Sequence, residues 1–178
     1  METTSLRPHS PADLLTGVAP VSFDPNAESE LWDFCLSRWT GNDAAKERFL
    51  QKAAGLALAG NTEEEVFVAL VGRGGSGKST FLAALMAAFG SYARVAQFQT
   101  FLKSGARTGR DDLADLAGAR LVVASEADKD ARFDTALVKA LTGGDRLRVR
   151  HLYARSFEYK PSFLLFLACN KLPAFDMT

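Results

Sequence analysis

The sequence predicts an α/β fold in which a parallel β-sheet carries helices on both faces, and two features of the pattern support this prediction. Apolar runs rich in β-branched or aromatic residues at 65–71, 121–126 and 162–169 are typical of strands buried in a parallel sheet. Stretches with helical character lie between them, as at 80–90 and 133–141. Strands that alternate with helices favour the parallel arrangement, because parallel strands need crossover connections.

The turn between the first strand and the first of these helices has a recognisable pattern. Residues 72–79 read Gly-Arg-Gly-Gly-Ser-Gly-Lys-Ser and match every fixed position of the phosphate-binding pattern G-x-x-x-x-G-K-[ST]. The glycines allow backbone N–H groups to surround phosphates, and the helix N-terminus adds the positive end of its dipole. We therefore expect Lys78 to reach the β- and γ-phosphates of a nucleotide and the Ser79 hydroxyl to bind Mg²⁺. The alternative is a chance glycine-rich turn.

Composition sets wider limits on the function. Lysine and arginine total 21, as do aspartate and glutamate, so the overall charge neither favours nor excludes a nucleic-acid partner. No apolar run approaches the roughly 18 residues of a membrane-spanning helix, and the N-terminus lacks the order of a signal peptide. Cys35 and Cys169 are predicted to be buried free thiols in a reducing compartment, rather than a disulfide or a metal site.

Three regions are predicted along the chain: an extended lead-in, a small helical bundle and a nucleotide-binding core, at residues 1–23, 24–61 and 62–178. Asp24, which is followed by proline, is predicted to cap the first helix of the bundle, and Gly41 to end it. Asp43 is predicted to cap the second helix, which ends at Gly60. The bundle carries no polar cluster beyond its solvated face, so we interpret it as packing beside the core.

The strand at 121–126 indicates further chemistry because it ends in Glu126. A carboxylate at the end of a strand beside a phosphate site can hold Mg²⁺ through water or polarise the attacking water. An apolar run that ends in glutamate is a weak signal alone, and the upstream phosphate-binding motif strengthens it. Asn170 ends the last apolar strand, where an amide can bind the γ-phosphate or the attacking water. A strand-end turn residue is the alternative for Asn170.

A basic β-hairpin is predicted over residues 146–160. Charged and apolar residues alternate at 146–153, which indicates a strand with one basic face, and 154–156 form the turn before a returning strand at 157–160. The hairpin gathers a cluster of basic residues in an otherwise neutral chain: Arg146, Arg148, Arg150, His151, Arg155 and Lys160. This density indicates contact with a phosphate backbone. The alternative is an exposed edge hairpin whose charges prevent aggregation.

Together these motifs resemble the superfamily 3 helicase domain, in the branch of phage and plasmid primase-helicases that is related to the poxvirus primase-helicase. The resemblance runs from about residue 23 to residue 173 and rests on four segments: 72–80, 122–126, 139–150 and 157–173. The Leu-Thr-Gly-Gly-Asp block inside the third segment is more specific than the glycine-rich motif.

The resemblance implies an AAA+-like P-loop NTPase core that forms homo-hexameric rings on single-stranded DNA and hydrolyses ATP with Mg²⁺ at subunit interfaces. The implied nucleotide-binding residues are Gly72, Arg73, Gly74, Gly75, Ser76, Gly77, Lys78, Ser79 and Thr80. Catalysis is assigned to Lys78, Glu126 in the Walker B role and Asn170 as sensor 1, and the metal to Ser79 and Glu126. The implied DNA contacts are Arg148, Arg150, His151 and Arg155, with Arg155 near the hairpin tip. A primase or a replication-initiation protein is an expected partner, and the expected location is the cytoplasm of a bacterial host.

Two departures from that family qualify the activity expected of this chain. No primase domain precedes the helicase part, and no arginine follows Asn170, eight residues from the end, where the family has a further strand and an arginine finger. Loss of such an arginine can cost about 10³–10⁵ in rate. These departures predict a truncated chain whose strand before the glycine-rich turn forms a bare sheet edge.

The leading hypothesis from the sequence is an ATP-dependent DNA helicase module of phage or plasmid DNA replication. The first alternative is a truncated, non-catalytic remnant that binds nucleotide and DNA. The second is a P-loop small-molecule kinase, against which the basic hairpin argues.

Overall fold

The computed structural model describes residues 8–103, 111–125, 132–172 and 174. The helices are α1 (Glu30–Thr40), α2 (Ala44–Ala59), α3 (Lys78–Phe89), α4 (Asp111–Ala114) and α5 (Thr135–Thr142). The strands are β1 (Val68–Val71), β2 (Ala93–Gln97), β3 (Leu121–Ser125), β4 (Leu147–Val149), β5 (Phe157–Tyr159) and β6 (Leu164–Cys169). Within the described ranges, no helix has both the length and the apolar character needed to cross a bilayer.

Four of the strands form one parallel sheet in the order β1-β6-β3-β2, and β4 and β5 form a separate antiparallel hairpin. The central strand β6 is buried along its whole length, with Phe166 opposite Val68 of β1 and Val123 of β3. In the described part of the chain β1 pairs with β6 alone and so lies at the sheet edge, as the sequence predicted. The predicted parallel sheet with flanking helices is confirmed.

The two faces of the sheet carry separate apolar cores, because successive residues of a strand point to opposite sides. In β3, Val122 and Ala124 belong to one core, whereas Leu121 and Val123 belong to the other. The first core packs α4, α5 and the hairpin against the sheet, and the second packs α1, α2 and α3 against its other face. The helices therefore cover both faces, as predicted.

The N-terminal helices share a core with α3 through a group of aromatic side chains. The ring of Trp32 stacks on Phe81 of α3 with the ring centroids 5.9 Å apart, and Trp39 meets Phe81 edge-on at 6.4 Å. Phe81 also contacts Phe166 of the central strand, with centroids 6.4 Å apart. Aromatic pairs of this kind stabilise beyond the area that they bury. The aromatic group therefore links α1 to the sheet through Phe81 of α3.

The predicted helix ends are confirmed with one exception. Asp43 caps α2 by accepting hydrogen bonds from two backbone N–H groups, and Gly41 and Gly60 end α1 and α2 at φ values of 72° and 64°. Asp24 does not cap α1, because Ser29 does so by accepting from the N–H of Trp32 at 3.2 Å. Asp24 instead accepts from the N–H of Asn26 at 2.9 Å in a local turn. The helix starts where its apolar face starts, and residues 24–28 have no such face to bury.

Part of the lead-in is attached to the turn between α3 and β2. Val18 and Ser91 exchange hydrogen bonds, with the Val18 N–H donating to Ser91 Oγ at 2.7 Å and the Ser91 N–H donating to the Val18 carbonyl at 3.2 Å. The Tyr92 hydroxyl donates to the Gly17 carbonyl at 2.9 Å. Neither Cys35 nor Cys169 forms a disulfide within the described residues. Cys169 is buried, as predicted, whereas Cys35 is only half-buried.

Candidate functional site

The glycine-rich loop, residues 72–77, joins β1 to α3 at the carboxyl end of the sheet. The N–H of Gly72 donates to the carbonyl of Cys169 at 3.2 Å, so the loop leaves β1 while still attached to β6. Gly75 and Gly77 have φ values of 78° and 86°, in the left-handed region that favours glycine. Among the described residues, no side chain caps the N-terminus of α3 at Gly77. The first N–H groups of α3 therefore face the loop without a side-chain acceptor, as an anion site requires.

Gly77 is also the point at which α1 approaches the loop. A Cβ atom at Gly77 would lie 2.1 Å from Trp39 Nε1, whereas a Cβ at Gly75 would meet nothing within 4 Å. Gly77 is thus required both by its backbone conformation and by the close approach of the indole. Sequence reasoning did not identify Trp39 as a neighbour of this loop, and no motif in the sequence indicates it.

Lys78 is held inside the loop by several acceptors. Its Nζ atom donates to the carbonyl of Gly72 at 2.6 Å and to the carbonyl of Arg73 at 3.1 Å. Ser76 Oγ lies 3.2 Å from Nζ, and Asn170 Oδ1 lies 3.4 Å away. Because an ammonium has only three protons for these four acceptors, the longer contacts are shared. The structure therefore brings together Lys78 and Asn170, two residues that the sequence predicted for one site.

A cavity of about 420 Å³ opens over the glycine-rich loop. Its lining includes most of the predicted nucleotide-binding residues and the ends of the two central strands: Gly74, Gly75, Ser76, Gly77, Lys78, Ser79, Thr80, Ser125 and Asn170. Gly72 and Arg73 are not in this lining, but the carbonyls of both accept from Lys78 Nζ. Glu126, the predicted catalytic acid and metal ligand, lies outside the described residues, one position after Ser125. Its role stays a prediction.

A second cavity of about 290 Å³ adjoins the loop on the side of α1 and α2. It shares Trp39, Gly77 and Lys78 with the cavity over the loop, and Phe49 and Val71 add exposed apolar surface to its lining. The two cavities together form a polar chamber beside an apolar one. That combination suits a ligand with a charged end and a flat apolar end.

The basic hairpin has shorter strands than predicted and a longer loop. Pairing is confined to three residues on each strand, with Arg148 opposite Glu158 and Val149 opposite Phe157. The hairpin loop, residues 150–156, follows directly. One side of the hairpin is buried, as the exposed fraction of 4% for Val149 shows. Across the hairpin, Glu158 of β5 stands opposite Arg148 of β4, so an acidic residue lies beside the predicted basic face.

The basic side chains of the hairpin have different surroundings. Arg148 donates to Ser156 Oγ through Nε at 3.3 Å and Nη2 at 3.2 Å. His151 Nδ1 lies 3.4 Å from Asp111 Oδ1 and 3.5 Å from Asp115 Oδ1, so His151 is held against α4. Arg150 and Arg155 are exposed on the hairpin loop. All four predicted DNA contacts are exposed, and Arg148 and His151 are in addition held by neighbouring side chains.

Tyr159 anchors the hairpin to α4. Its hydroxyl donates to the Leu113 carbonyl at 2.7 Å. Burial raises the pKa of the Tyr159 hydroxyl to about 12, and the nearby Asp112 carboxylate contributes to the same shift. The hydroxyl therefore stays protonated and keeps its hydrogen bond at every physiological pH.

Two viral proteins are similar to this chain in sequence. The chain is 30% identical over 133 residues to protein L207/L206 of Acanthamoeba polyphaga mimivirus, and 29% identical over 137 residues to protein 022R of Frog virus 3 (isolate Goorha). Both proteins are provisionally named helicases. Each match takes in 74% of this chain but 14% of the relative, so the chain spans a small part of their length.

Solved structures of the NrS-1 C-terminal region have the same fold. One, an A-form apo structure, superposes with a TM-score of 0.65 at 17% identity and covers 90% of this chain and 36% of that one. Another apo structure of the region gives a TM-score of 0.59 at 20% identity, with 86% and 36% covered. At these identities the likeness shows the fold alone.

Residues 70–178 match the family DUF5906, described as a family of unknown function. The match begins in β1 and takes in the glycine-rich loop, the central strands and the hairpin. It therefore includes every residue predicted for the site. The chain belongs to the DUF5906 family.

Proposed function

We propose that this chain is an ATP-dependent DNA helicase module of phage or plasmid replication, which binds ATP with Mg²⁺ at the glycine-rich loop and single-stranded DNA at the hairpin. The observation that carries the proposal is the joint position of Lys78 and Asn170. Lys78, at the start of α3, and Asn170, directly after β6, are distant in sequence, and their side chains meet at 3.4 Å beside the N-terminus of α3. A crevice at the carboxyl ends of parallel strands is where such folds bind their ligands.

The phosphate groups of ATP are the ligand that this loop suits best. Lys78 donates to carbonyl oxygens that belong to its own loop, and phosphate oxygens are stronger acceptors for an ammonium. The left-handed glycines allow backbone N–H groups to turn toward the same space. The nucleoside would occupy the apolar second cavity, where Trp39 and Phe49 offer aromatic surface.

The hydrolytic step would use the ends of the two central strands. Ser79 would supply one hydroxyl for Mg²⁺ and Glu126 a carboxylate, and oxygen ligands of this kind are those that Mg²⁺ prefers. Bound Mg²⁺ would neutralise charge that develops on the phosphates. Asn170 would orient the attacking water, and Glu126 would polarise it.

The decisive experiment measures ATP binding by calorimetry and ATP turnover with and without single-stranded DNA. Lys78→Ala should weaken ATP binding by at least about 10-fold, because a charge-assisted contact to phosphate is lost. Lys52→Ala, which removes an exposed lysine from α2, is the charge-matched control and should bind ATP normally. Turnover that DNA stimulates and Lys78→Ala abolishes would support the helicase proposal.

Two other outcomes have distinct meanings. ATP binding that depends on Lys78 but yields no turnover would favour the non-catalytic nucleotide- and DNA-binding alternative. Equal ATP binding by the native chain and Lys78→Ala would refute the assignment of the loop.

The nucleic-acid part of the proposal has its own test. Arg150→Ala should reduce the affinity for single-stranded DNA and lower the slope of log K against log salt by about 0.7, as expected for one lost phosphate contact. Arg38→Ala, an exposed arginine of α1, is the matched control. An unchanged salt slope in Arg150→Ala would contradict the hairpin assignment.

A further inference from the structure

An aromatic side chain stands at the tip of the hairpin loop and takes almost no part in the fold. Tyr153 is 99% exposed, and its neighbour Leu152 is 68% exposed. The other two tyrosines of the chain, Tyr92 and Tyr159, are partly buried and donate hydrogen bonds to backbone carbonyls. Folding therefore gains almost nothing from the ring of Tyr153, although burial is the usual source of stabilisation by an aromatic residue.

The backbone at Tyr153 is also unfavourable for this residue. The N–H of Ala154 donates to the carbonyl of His151 at 3.0 Å, which places Tyr153 at the third position of a tight turn. Its φ is 59°, in the left-handed region where glycine or asparagine is normally found. A bulky side chain in this region is strained. The turn would form more easily with glycine, so the identity of the residue needs another explanation.

The base of the hairpin loop is fixed in a way that directs the tip outward. Asp111 Oδ1 accepts from the N–H of Leu152 at 3.1 Å and lies 3.4 Å from His151 Nδ1. These contacts hold the backbone before the tip against α4. Arg150 and Arg155 stand on the two sides of the tip, both exposed. Proteins that bind single-stranded nucleic acids commonly combine exposed aromatic rings with cationic side chains, because bases stack on the rings and phosphates pair with the cations.

We propose that Tyr153 stacks on a nucleobase of single-stranded DNA while Arg150 and Arg155 contact the phosphates beside it. This inference rests on the proposed DNA-binding role of the hairpin and adds to it a contact with the bases. Stacking accepts every base, since each has a flat π-face, so the contact suits binding without sequence preference. On this proposal, the strained backbone at Tyr153 is retained because it presents the ring to the nucleobase.

The test uses Tyr153→Gly, for which stability and binding should change independently. Glycine relieves the backbone strain, so the melting temperature should stay the same or rise. The affinity for an oligothymidylate of about 16 nucleotides should fall about 10-fold, the loss expected for one stacked base. On an abasic strand of the same length, which keeps the phosphates and lacks the bases, Tyr153→Gly and the native chain should bind equally.

Three further variants sharpen the test. Tyr153→Asn, another residue that tolerates the left-handed region, should reproduce the loss of affinity, and Tyr153→Phe should retain affinity within about 3-fold because it keeps the π-face. Phe34→Ala removes an exposed aromatic from another part of the chain, 62% exposed on α1, and should leave DNA binding unchanged.

The outcomes separate this inference from the proposal on which it rests. Undiminished binding of oligothymidylate by Tyr153→Gly, or an equal loss on the thymidylate and abasic strands, would overturn the stacking contact while leaving the arginine contacts in place. Binding of neither strand by the native chain would refute the DNA-binding role itself, and the stacking contact with it.

Discussion

The glycine-rich loop and the hairpin loop are both short, basic and left-handed in places, but they use these properties in opposite ways. In the glycine-rich loop, Gly75 and Gly77 adopt the left-handed conformation at no steric cost, and the adjoining Lys78 is turned inward onto the carbonyls of Gly72 and Arg73. In the hairpin loop, a tyrosine adopts that conformation, and the arginines point to solvent. The first loop is preorganised around a small anion, whereas the second presents groups to a large partner.

The supports of the two loops differ in the same sense. The glycine-rich loop lies between an apolar strand and a helix of 12 residues that packs into the core through Phe81 and Leu85. The hairpin loop stands on strands of three residues each, anchored on one side only. Local opening should therefore cost less at the hairpin than at the glycine-rich loop. The comparison shows how a single sheet can hold one site rigidly and another on a less stable support.

The largest effect is expected from Gly77→Ala, which alters the glycine-rich loop, the more rigidly supported of the two loops. Left-handed backbone costs alanine about 1–2 kcal/mol, and the contact with Trp39 adds overpacking, so we expect a loss of about 3 kcal/mol in unfolding free energy together with loss of ATP binding. Gly75→Ala is the matched control, because it has the same backbone cost and open space around its Cβ. Chemical denaturation measures the unfolding free energy of both variants. Equal losses in the two variants would show that the Trp39 contact has no energetic weight.

The second effect concerns the anchor of the hairpin. Val149→Ala should reduce the unfolding free energy by about 2 kcal/mol, because Val149 is 4% exposed and its removal leaves a cavity in the first core. The adjacent Arg150→Ala should change stability by less than about 0.5 kcal/mol. Val71→Ala at the sheet edge, where the side chain is 49% exposed, should cost less than half as much. A loss for Val71→Ala as large as that for Val149→Ala would contradict this ranking.

The third effect is a pH dependence of stability that arises from Tyr159 of the hairpin. The pKa of Tyr159 is about 12 in the folded state against about 10 for free tyrosine, so the unfolded chain releases this proton first. The stabilisation is complete below pH 10 and is lost as the pH rises from about 10 to about 12. Tyr159→Phe should remove this part of the alkaline dependence and, at neutral pH, cost about 1 kcal/mol for the lost hydrogen bond. Thermal melts between about pH 10 and pH 12 measure this loss of stability. If stability falls with pH as steeply in Tyr159→Phe as in the native chain, Tyr159 is not the source of the dependence.

The smallest effect is expected at the contact between the hairpin and α4. Asp115→Asn removes a carboxylate 3.5 Å from His151 and should change stability by less than about 0.5 kcal/mol, because the pair is exposed. The affinity for single-stranded DNA should rise about 2-fold, since one repulsive charge near the phosphates is gone. Fluorescence anisotropy with labelled oligothymidylate measures this affinity. Asp33→Asn on α1 is the control, and an equal rise there would assign the effect to net charge.

Local signals in the sequence predicted local structure well. Asp43, Gly41 and Gly60 are correctly predicted helix ends, because capping depends on a few neighbouring residues. The prediction that Asp24 caps α1 was wrong for a related reason. An aspartate side chain can either cap a helix or close a local turn, as Asp24 does by accepting from the N–H of Asn26, and only burial of the following apolar face decides between these two roles.

Long-range contacts explain what the sequence did not predict. Alternation of charged and apolar residues continues to Tyr153, but pairing stops at Val149 because the backbone at Leu152 is bound by Asp111 of α4. The approach of Trp39 to Gly77 likewise depends on tertiary packing. The meeting of Lys78 and Asn170 could be predicted, because both follow parallel strands of one sheet. The roles of Glu126, Mg²⁺ and ATP stay predictions.

The packing of α1 gives the protein an internal optical probe. Its two tryptophans, Trp32 and Trp39, both lie in α1 with their ring centroids 6.2 Å apart, and the Trp39 indole touches Gly77 at the start of α3. With Trp32 replaced by phenylalanine, the intrinsic emission of the chain would come from one indole at the edge of both cavities. Occupancy of the glycine-rich loop could then be followed in real time without attaching a dye.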